Sequence, residues 1–201
     1  AGALNFSGDT IITAAELCTH CGVCAGVCPS KAFEMSGSAV SLDMIVTMVE
    51  RERVFLEQSG GGVTFSGGEP LLQWPFLLEA LRECGRLGIH RAVDTAGNVA
   101  TDLIMKVAEH TDLFLFDLKI MDSERHREAT GVPNKLILDN LRQLSAANAR
   151  IIIRIPLIPG INNDEENMRQ TALFVRSLPN RVDAIQLLPF HPAARQKYVK
   201  L

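Results

Sequence analysis

The sequence has no long hydrophobic run and no strong excess of charge of either sign. Its longest apolar runs, such as Leu113–Phe116 and Ile151–Ile153, are far shorter than the roughly 20 residues that a membrane-spanning helix needs. Lysine and arginine number 20 against 23 aspartates and glutamates, so charge gives no support for nucleic-acid binding. We therefore expect neither a membrane protein nor a nucleic-acid-binding protein.

Signs of secretion and of disorder are missing as well. The first ten residues, AGALNFSGDT, lack the basic start and the apolar stretch of a signal peptide, so we expect a cytoplasmic protein. Hydrophobic residues make up 47% of the chain and charged residues 21%, which is close to the globular average and excludes wholesale disorder, collagen and coiled coil. A length of 201 residues suits one domain or slightly more.

Four of the five cysteines lie within eleven positions. The run reads Cys18-x2-Cys21-x2-Cys24-x3-Cys28, followed by Pro29, which is the spacing of bacterial ferredoxins. A clustered, odd number of cysteines suits a metal site in a reducing compartment better than a disulfide framework. We predict a ferredoxin-like 4Fe–4S segment over residues 1–40, in which Cys28 serves either this cluster or a second one. A zinc site is the alternative, although zinc sites usually pair two Cys-x2-Cys units across a longer loop.

From Ser41 onward, segments typical of helices alternate with short apolar segments typical of strands. The predicted helices span Ser41–Gln58, Trp74–Leu87, Asp102–Glu109, Lys135–Ala147 and Asp164–Ser177. The predicted strands span Gly62–Ser66, Arg91–Thr95, Leu113–Lys119, Ile151–Leu157 and Asp183–Leu188. Continuous apolar runs are expected of parallel strands buried on both faces, and the alternation implies right-handed βαβ units. Five strands are too few for an eight-stranded barrel, so residues 41–201 are predicted to form an α/β domain, either an open sheet or a partial barrel.

Each predicted strand contains or is followed by polar groups. These are Glu69, Asp94, Asp117 with Lys119, Arg154 and His191. Because the carboxyl ends of parallel strands share one rim, we expect these groups to converge there, and buried charges need a partner or a ligand. Purely structural roles for these residues stay open as alternatives to ligand binding. They are a structural pair of Asp117 with Lys119, an ion pair of Arg154 with an aspartate of a neighbouring strand, and a surface position for His191.

Five short motifs stand at these strand ends. They are Val63–Pro70 (VTFSGGEP), Asp94–Gly97 (DTAG), Asp117–Lys119 (DLK), Arg154 with Pro159-Gly160, and Leu188–His191 (LPFH). In this order the motifs resemble those of glycyl-radical enzyme activating enzymes, a group of radical S-adenosylmethionine (SAM) proteins. The resemblance covers nearly the whole chain. It implies a partial (β/α) barrel of parallel strands with a small ferredoxin-like iron–sulfur insert at its N-terminus, and 4Fe–4S clusters and SAM as cofactors.

The resemblance also implies roles for the strand-end residues. The implied SAM contacts are made by Gly67, Gly68, Glu69, Asp117, Leu118, Lys119, Arg154 and His191. The two glycines and Glu69 would hold the amino group of SAM, which fits the preference of an ammonium group for backbone acceptors and a carboxylate. His191 would lie near the adenosyl end. The implied monovalent-cation site consists of Asp94, Thr95, Asp117 and the backbone carbonyl of Leu115.

The sequence departs from this family in one respect. The family's Cys-x3-Cys-x2-Cys motif, whose cluster leaves one iron open for SAM, does not occur among the 201 residues. In the family this motif precedes the insert, so we expect it before Ala1 and a partner-docking tail after Leu201. We therefore predict no catalytic residue within this chain, which by itself should not cleave SAM.

The resemblance finally implies a partner and a reductant. The whole protein would cleave SAM reductively and remove a hydrogen atom from a backbone glycine of pyruvate formate-lyase or a related glycyl-radical enzyme, with flavodoxin or ferredoxin as electron donor. The alternative is a non-catalytic iron–sulfur electron-transfer module on an α/β scaffold. The cysteine run supports this alternative, but an electron carrier has no need of Glu69 or Arg154 at its strand ends.

Overall fold

The computed structural model describes residues 2–8, 10–35 and 37–190. The chain divides into two compact units, Ala1–Val40 and Ser41–Leu201. Among the described residues, no helix combines the length and the hydrophobicity that crossing a membrane requires. The predicted site residue His191 lies outside the described residues.

The first unit consists of a short hairpin and the cysteine segment. Strands β1 (Leu4–Ser7) and β2 (Thr10–Thr13) pair antiparallel, and a 3-10 turn (Ala15–Leu17) and helix α1 (Val23–Val27) follow. The hairpin is not among the predicted elements, because two strands of four residues give too short a pattern to recognise. The ferredoxin-like character of this unit stays a prediction.

The second unit is a five-stranded parallel sheet with helices between the strands. Its strands are β3 (Gly62–Phe65), β4 (His90–Thr95), β5 (Leu113–Asp117), β6 (Ile151–Leu157) and β7 (Ala184–Pro189). Its helices are α2 (Leu42–Arg51), α3 (Arg53–Ser59), α4 (Trp74–Arg86), α5 (Thr101–Ala108), α6 (Ser123–Thr130), α7 (Lys135–Ala146) and α8 (Glu165–Arg176). The strand order in the sheet is β3-β4-β5-β6-β7, the same as in the chain. The prediction of a partial (β/α) barrel is confirmed.

The first predicted helix of this unit is in fact two helices. The backbone turns at Glu52 (φ −93°, ψ 2°), which separates α2 from α3. Its two ends follow the sequence signals. The Ser41 hydroxyl accepts a hydrogen bond from the Met44 N–H (3.2 Å) at the start of α2. Gly60 ends α3 in the left-handed conformation (φ 64°).

Helix α6 is not among the predicted helices, because its sequence, SERHREAT, has no apolar stripe. Its two ends explain why it forms. The Asp122 carboxylate accepts a hydrogen bond from the Arg125 N–H (2.8 Å), and Gly131 ends the helix in the left-handed conformation (φ 84°). The one buried residue of α6 is His126.

The hydrophobic core of this unit lies between the sheet and helices α4, α5, α7 and α8. Along β4, β5 and β6, fully buried residues such as Phe116 and Ile153 face this core and alternate with less buried residues on the opposite face. Asp94, Asp117 and Arg154 belong to the second set. The alternation of the strands therefore places three charged residues on one face of the sheet.

Candidate functional site

Arg154 lies between two aspartates that belong to the preceding strands. The register of the sheet sets Asp117 of β5 opposite Arg154 of β6. The guanidinium donates to Asp117 Oδ1 from Nε (3.0 Å) and from Nη2 (2.7 Å), and it also pairs with Asp94 of β4. The Ser66 hydroxyl donates to the other oxygen of Asp94 (3.0 Å). One hydrogen-bond network therefore joins β6 to the loop after β3.

The charge of Arg154 is stabilised by its partners. Burial opposes the positive charge, but the hydrogen bonds and negative charges of Asp117 and Asp94 outweigh burial, so the pKa of Arg154 is raised. The structure thus contains the ion pair that the sequence left open as an alternative for Arg154. The SAM contact of Arg154 and the cation site at Asp94, Thr95 and Asp117 stay predictions, and both carboxylates already have a cationic partner.

The Glu69 carboxylate ties the loop after β3 to the end of β4. It accepts hydrogen bonds from the Thr95 hydroxyl (2.8 Å), from the Ala96 N–H (2.9 Å) and from the Leu71 N–H (3.2 Å) of the 3-10 helix Pro70–Gln73. The two glycines before Glu69, Gly67 and Gly68, have free space where a side chain would be. A Cβ atom added at Gly67 or Gly68 would meet nothing within 4 Å. Their backbone is thus accessible to a ligand, and the contact with an amino group stays a prediction.

The end of β5 is held by buried asparagines. The side-chain amides of Asn162 and Asn167 donate to the backbone carbonyl of Lys119, at 3.0 and 3.3 Å. The Lys119 ammonium lies 3.9 Å from Asp117 Oδ2, whereas the Leu118 side chain is buried in the core, which leaves only its backbone for a contact with SAM. The two asparagines are not among the predicted site residues, because in the sequence they resemble ordinary loop asparagines.

A cavity of about 280 Å³ opens beside these strand ends. Its lining includes Gly68, Glu69, Asp117 and Lys119 from the strand ends and His126, Thr130 and Val132 from α6 and the turn after it. Four of the residues with predicted SAM contacts therefore share one cavity, which we call the strand-end cavity. Gly67, Leu118 and Arg154 are not among its lining residues in the described part of the chain. The wall formed by α6 is not predicted from the sequence, because α6 is not.

The predicted iron–sulfur ligands lie in the first unit. A hydrogen bond from the Val23 N–H lowers the pKa of the Cys21 thiol, and hydrogen bonds from Ser30 and the Ala32 N–H lower that of Cys28. Such donors favour thiolates, the form that binds iron or zinc, so the donor chemistry fits a cluster. Among the described residues, however, no three His, Cys, Asp or Glu side chains are arranged to hold a metal ion. The 4Fe–4S site stays a prediction.

Known proteins resemble this chain over most of its length. Residues 15–172 match the radical SAM superfamily. The chain is 40% identical over 196 residues to isethionate sulfite-lyase activating enzyme of Oleidesulfovibrio alaskensis, with 96% of this chain and 62% of that protein covered. It is 39% identical over 216 residues to trans-4-hydroxy-L-proline dehydratase activating enzyme of Clostridioides difficile, with 92% and 72% covered. The chain thus spans less than two thirds of the length of the first relative and slightly more than two thirds of the length of the second.

A solved structure resembles the fold. It is a crystal structure of a domain of pyruvate-formate lyase-activating enzyme from Bacteroides vulgatus, with a TM-score of 0.62 and 44% sequence identity. The match covers 70% of this chain and 91% of that one. This similarity agrees with the partial barrel described above.

Proposed function

Because the chain belongs to the glycyl-radical enzyme activating enzymes of the radical SAM superfamily, we propose that it takes part in installing a glycyl radical on a partner enzyme. In the activating enzymes of this superfamily, a 4Fe–4S cluster and SAM would together supply the radical chemistry that removes a hydrogen atom from a glycine of the partner. The residues of this chain hold SAM at the strand ends. The partner is pyruvate formate-lyase (formate C-acetyltransferase) or a relative such as isethionate sulfite-lyase, and a cytoplasmic flavodoxin or ferredoxin is the electron donor.

The observation that carries this proposal is the mixed charge of the strand-end cavity. The methionine part of SAM carries both an ammonium and a carboxylate, so its site needs acceptors and a cation close together. Lys119 supplies the cation, while Asp117 and the open backbone of Gly68 supply acceptors. The Lys119 side chain is 34% exposed, so it is accessible to a ligand. An electron carrier has no need of such a site.

Titration calorimetry of the chain with SAM tests the proposal. We expect Lys119→Ala to weaken SAM binding about tenfold or more, because a hydrogen bond to a charged group is worth about 1.5–3 kcal/mol. The matched control is Lys106→Ala on α5, which removes an exposed lysine paired with Asp102 (3.5 Å). It should leave SAM binding unchanged.

The opposite results would count against the proposal. Equal SAM affinity in the unsubstituted chain and in Lys119→Ala would show that the strand-end cavity is not the SAM site. Absence of SAM binding combined with reversible iron–sulfur redox chemistry would favour the electron-transfer module.

A further inference from the structure

Helix α6 carries a histidine that the proposed function does not use. His126 is only 3% exposed, and it lines the strand-end cavity together with Lys119 and Glu69. Apart from Ala129, the rest of α6 is polar, and all of it is exposed or half-exposed. A buried imidazole in such a helix contributes little to an apolar core. The surroundings of its two ring nitrogens indicate a role in ligand binding.

One nitrogen of the ring is committed within the protein. His126 Nδ1 lies 2.7 Å from the backbone carbonyl oxygen of Val132. A carbonyl can only accept, so Nδ1 carries the hydrogen and donates it. The left-handed turn at Gly131 (φ 84°) brings this carbonyl back towards the ring, and the Thr130 hydroxyl, 3.0 Å from Nδ1, donates to the backbone carbonyl of His126 (2.7 Å).

The other nitrogen is exposed to the cavity. Within the described residues, Nε2 has no hydrogen-bond partner. Every fully buried side-chain nitrogen or oxygen in these residues does have a partner, so Nε2 is not fully buried. Nε2 is therefore reached by solvent, and the cavity that His126 lines is the opening beside it. In the neutral ring with the hydrogen on Nδ1, Nε2 is a hydrogen-bond acceptor.

The ring is also fixed in place. Asp122 caps the start of α6, and the Asn134 side-chain amide donates to the backbone carbonyls of Ile120 (2.9 Å) and Met121 (2.7 Å) just before the helix. Asn134 itself is 3% exposed. An acceptor held in this way costs little ordering entropy when a ligand binds to it.

We propose that Nε2 of His126 is a ligand-binding acceptor of the strand-end cavity, which takes a hydrogen bond from the ammonium group in the methionine part of SAM. This inference rests on the proposed function, because it names the contact partner within the same site. Lys119 is the only cation that lines the cavity in the described part of the chain, and it suits the carboxylate of the same amino-acid group. His126 then completes the acceptor side together with Asp117 and the Gly68 backbone.

The test replaces His126 by asparagine and compares two ligands. In His126→Asn the side-chain amide nitrogen stands close to the position of Nδ1 and keeps a donor for the Val132 carbonyl, whereas Nε2 is removed. The ligands are SAM and 5′-methylthioadenosine, which has the nucleoside but not the amino-acid part. We expect His126→Asn to bind SAM about tenfold more weakly and 5′-methylthioadenosine equally well, with an unchanged melting temperature.

Results that differ from this expectation would contradict the proposed contact. Unchanged SAM affinity in His126→Asn would refute the contact, and an equal loss for both ligands would place it at the nucleoside. Nitrogen-15 NMR of the unsubstituted chain gives an independent check, because a neutral ring with its hydrogen on Nε2 would contradict the acceptor role. If the unsubstituted chain binds no SAM, the proposed function is refuted, and the proposed contact between SAM and His126 is refuted with it.

Discussion

Arg154 balances two carboxylates that would otherwise face each other on one side of the sheet. The side chains of Arg154, Asp94 and Asp117 are between 18% and 22% exposed. Removing one partner of a largely buried ion pair leaves a charge without compensation, which destabilises the protein more than the pair itself stabilised it. We therefore expect the network to stabilise the strand ends, whatever ligand they bind.

We expect Arg154→Leu to lower the free energy of unfolding by roughly 2–4 kcal/mol, as breaking a largely buried pair does. The control is Arg169→Leu, which breaks a pair with Glu166 whose side chains are 55% and 61% exposed. This change should alter stability by less than about 1 kcal/mol. Urea denaturation of both variants measures the difference, and equal values would show that the Arg154 network contributes no more than a surface pair.

At the scale of elements, strands and helices differ in how well the sequence predicts them. Strands β5 and β6 are recognisable because each contains a short apolar run, and the polar ends of the strands could be assigned to one rim because parallel strands share it. Helix α6 is not recognisable, because it depends on its capping residues and on a distant segment, where Arg125 donates to the backbone carbonyl of Ile161 and to Asp164. For this reason the sequence predicts the strand-end residues of the cavity but not His126, which α6 contributes to its lining.

Gly97 shows how closely the loop after β4 packs on β5. Its backbone is left-handed (φ 71°), and an added Cβ atom would lie 2.2 Å from Cζ of Phe116. We expect Gly97→Ala to destabilise the protein by roughly 2–5 kcal/mol, from backbone strain of about 1–2 kcal/mol and overpacking of about 1–3 kcal/mol.

The matched control for this substitution is Gly131→Ala. Gly131 is also left-handed (φ 84°), but an added Cβ atom there would meet nothing within 4 Å. This variant should show the strain alone, about 1–2 kcal/mol. Equal losses of stability in the two variants, measured by chemical denaturation, would show that contact with Phe116 is not what requires a glycine at position 97.

At the scale of the whole molecule, the two proposed sites lie in different units. The strand-end cavity belongs to Ser41–Leu201, where the one cysteine is Cys84, a fully buried thiol whose pKa is raised by burial. The other four cysteines belong to Ala1–Val40. SAM binding and iron binding can therefore be tested independently, and a failure of one does not decide the other.

The iron–sulfur prediction leads to an experiment on the first unit. Ligation of a cluster by several thiolates is coupled to local ordering of the chain that carries them. Anaerobic reconstitution with iron and sulfide should load about four irons per chain and slow the amide hydrogen exchange of residues 18–28. Exchange in the parallel sheet should not change.

Two variants separate the cluster from adventitious iron. Cys21→Ser should abolish iron uptake or reduce it severely, because it removes an exposed thiol of the run whose pKa is lowered, whereas Cys84→Ala should load iron as the unsubstituted chain does. Uptake of zinc without iron would identify a zinc site instead. Iron uptake that survives in Cys21→Ser, or that leaves the exchange of residues 18–28 unaltered, would mean that the iron is bound elsewhere, since a cluster held by these thiolates must order the backbone between them.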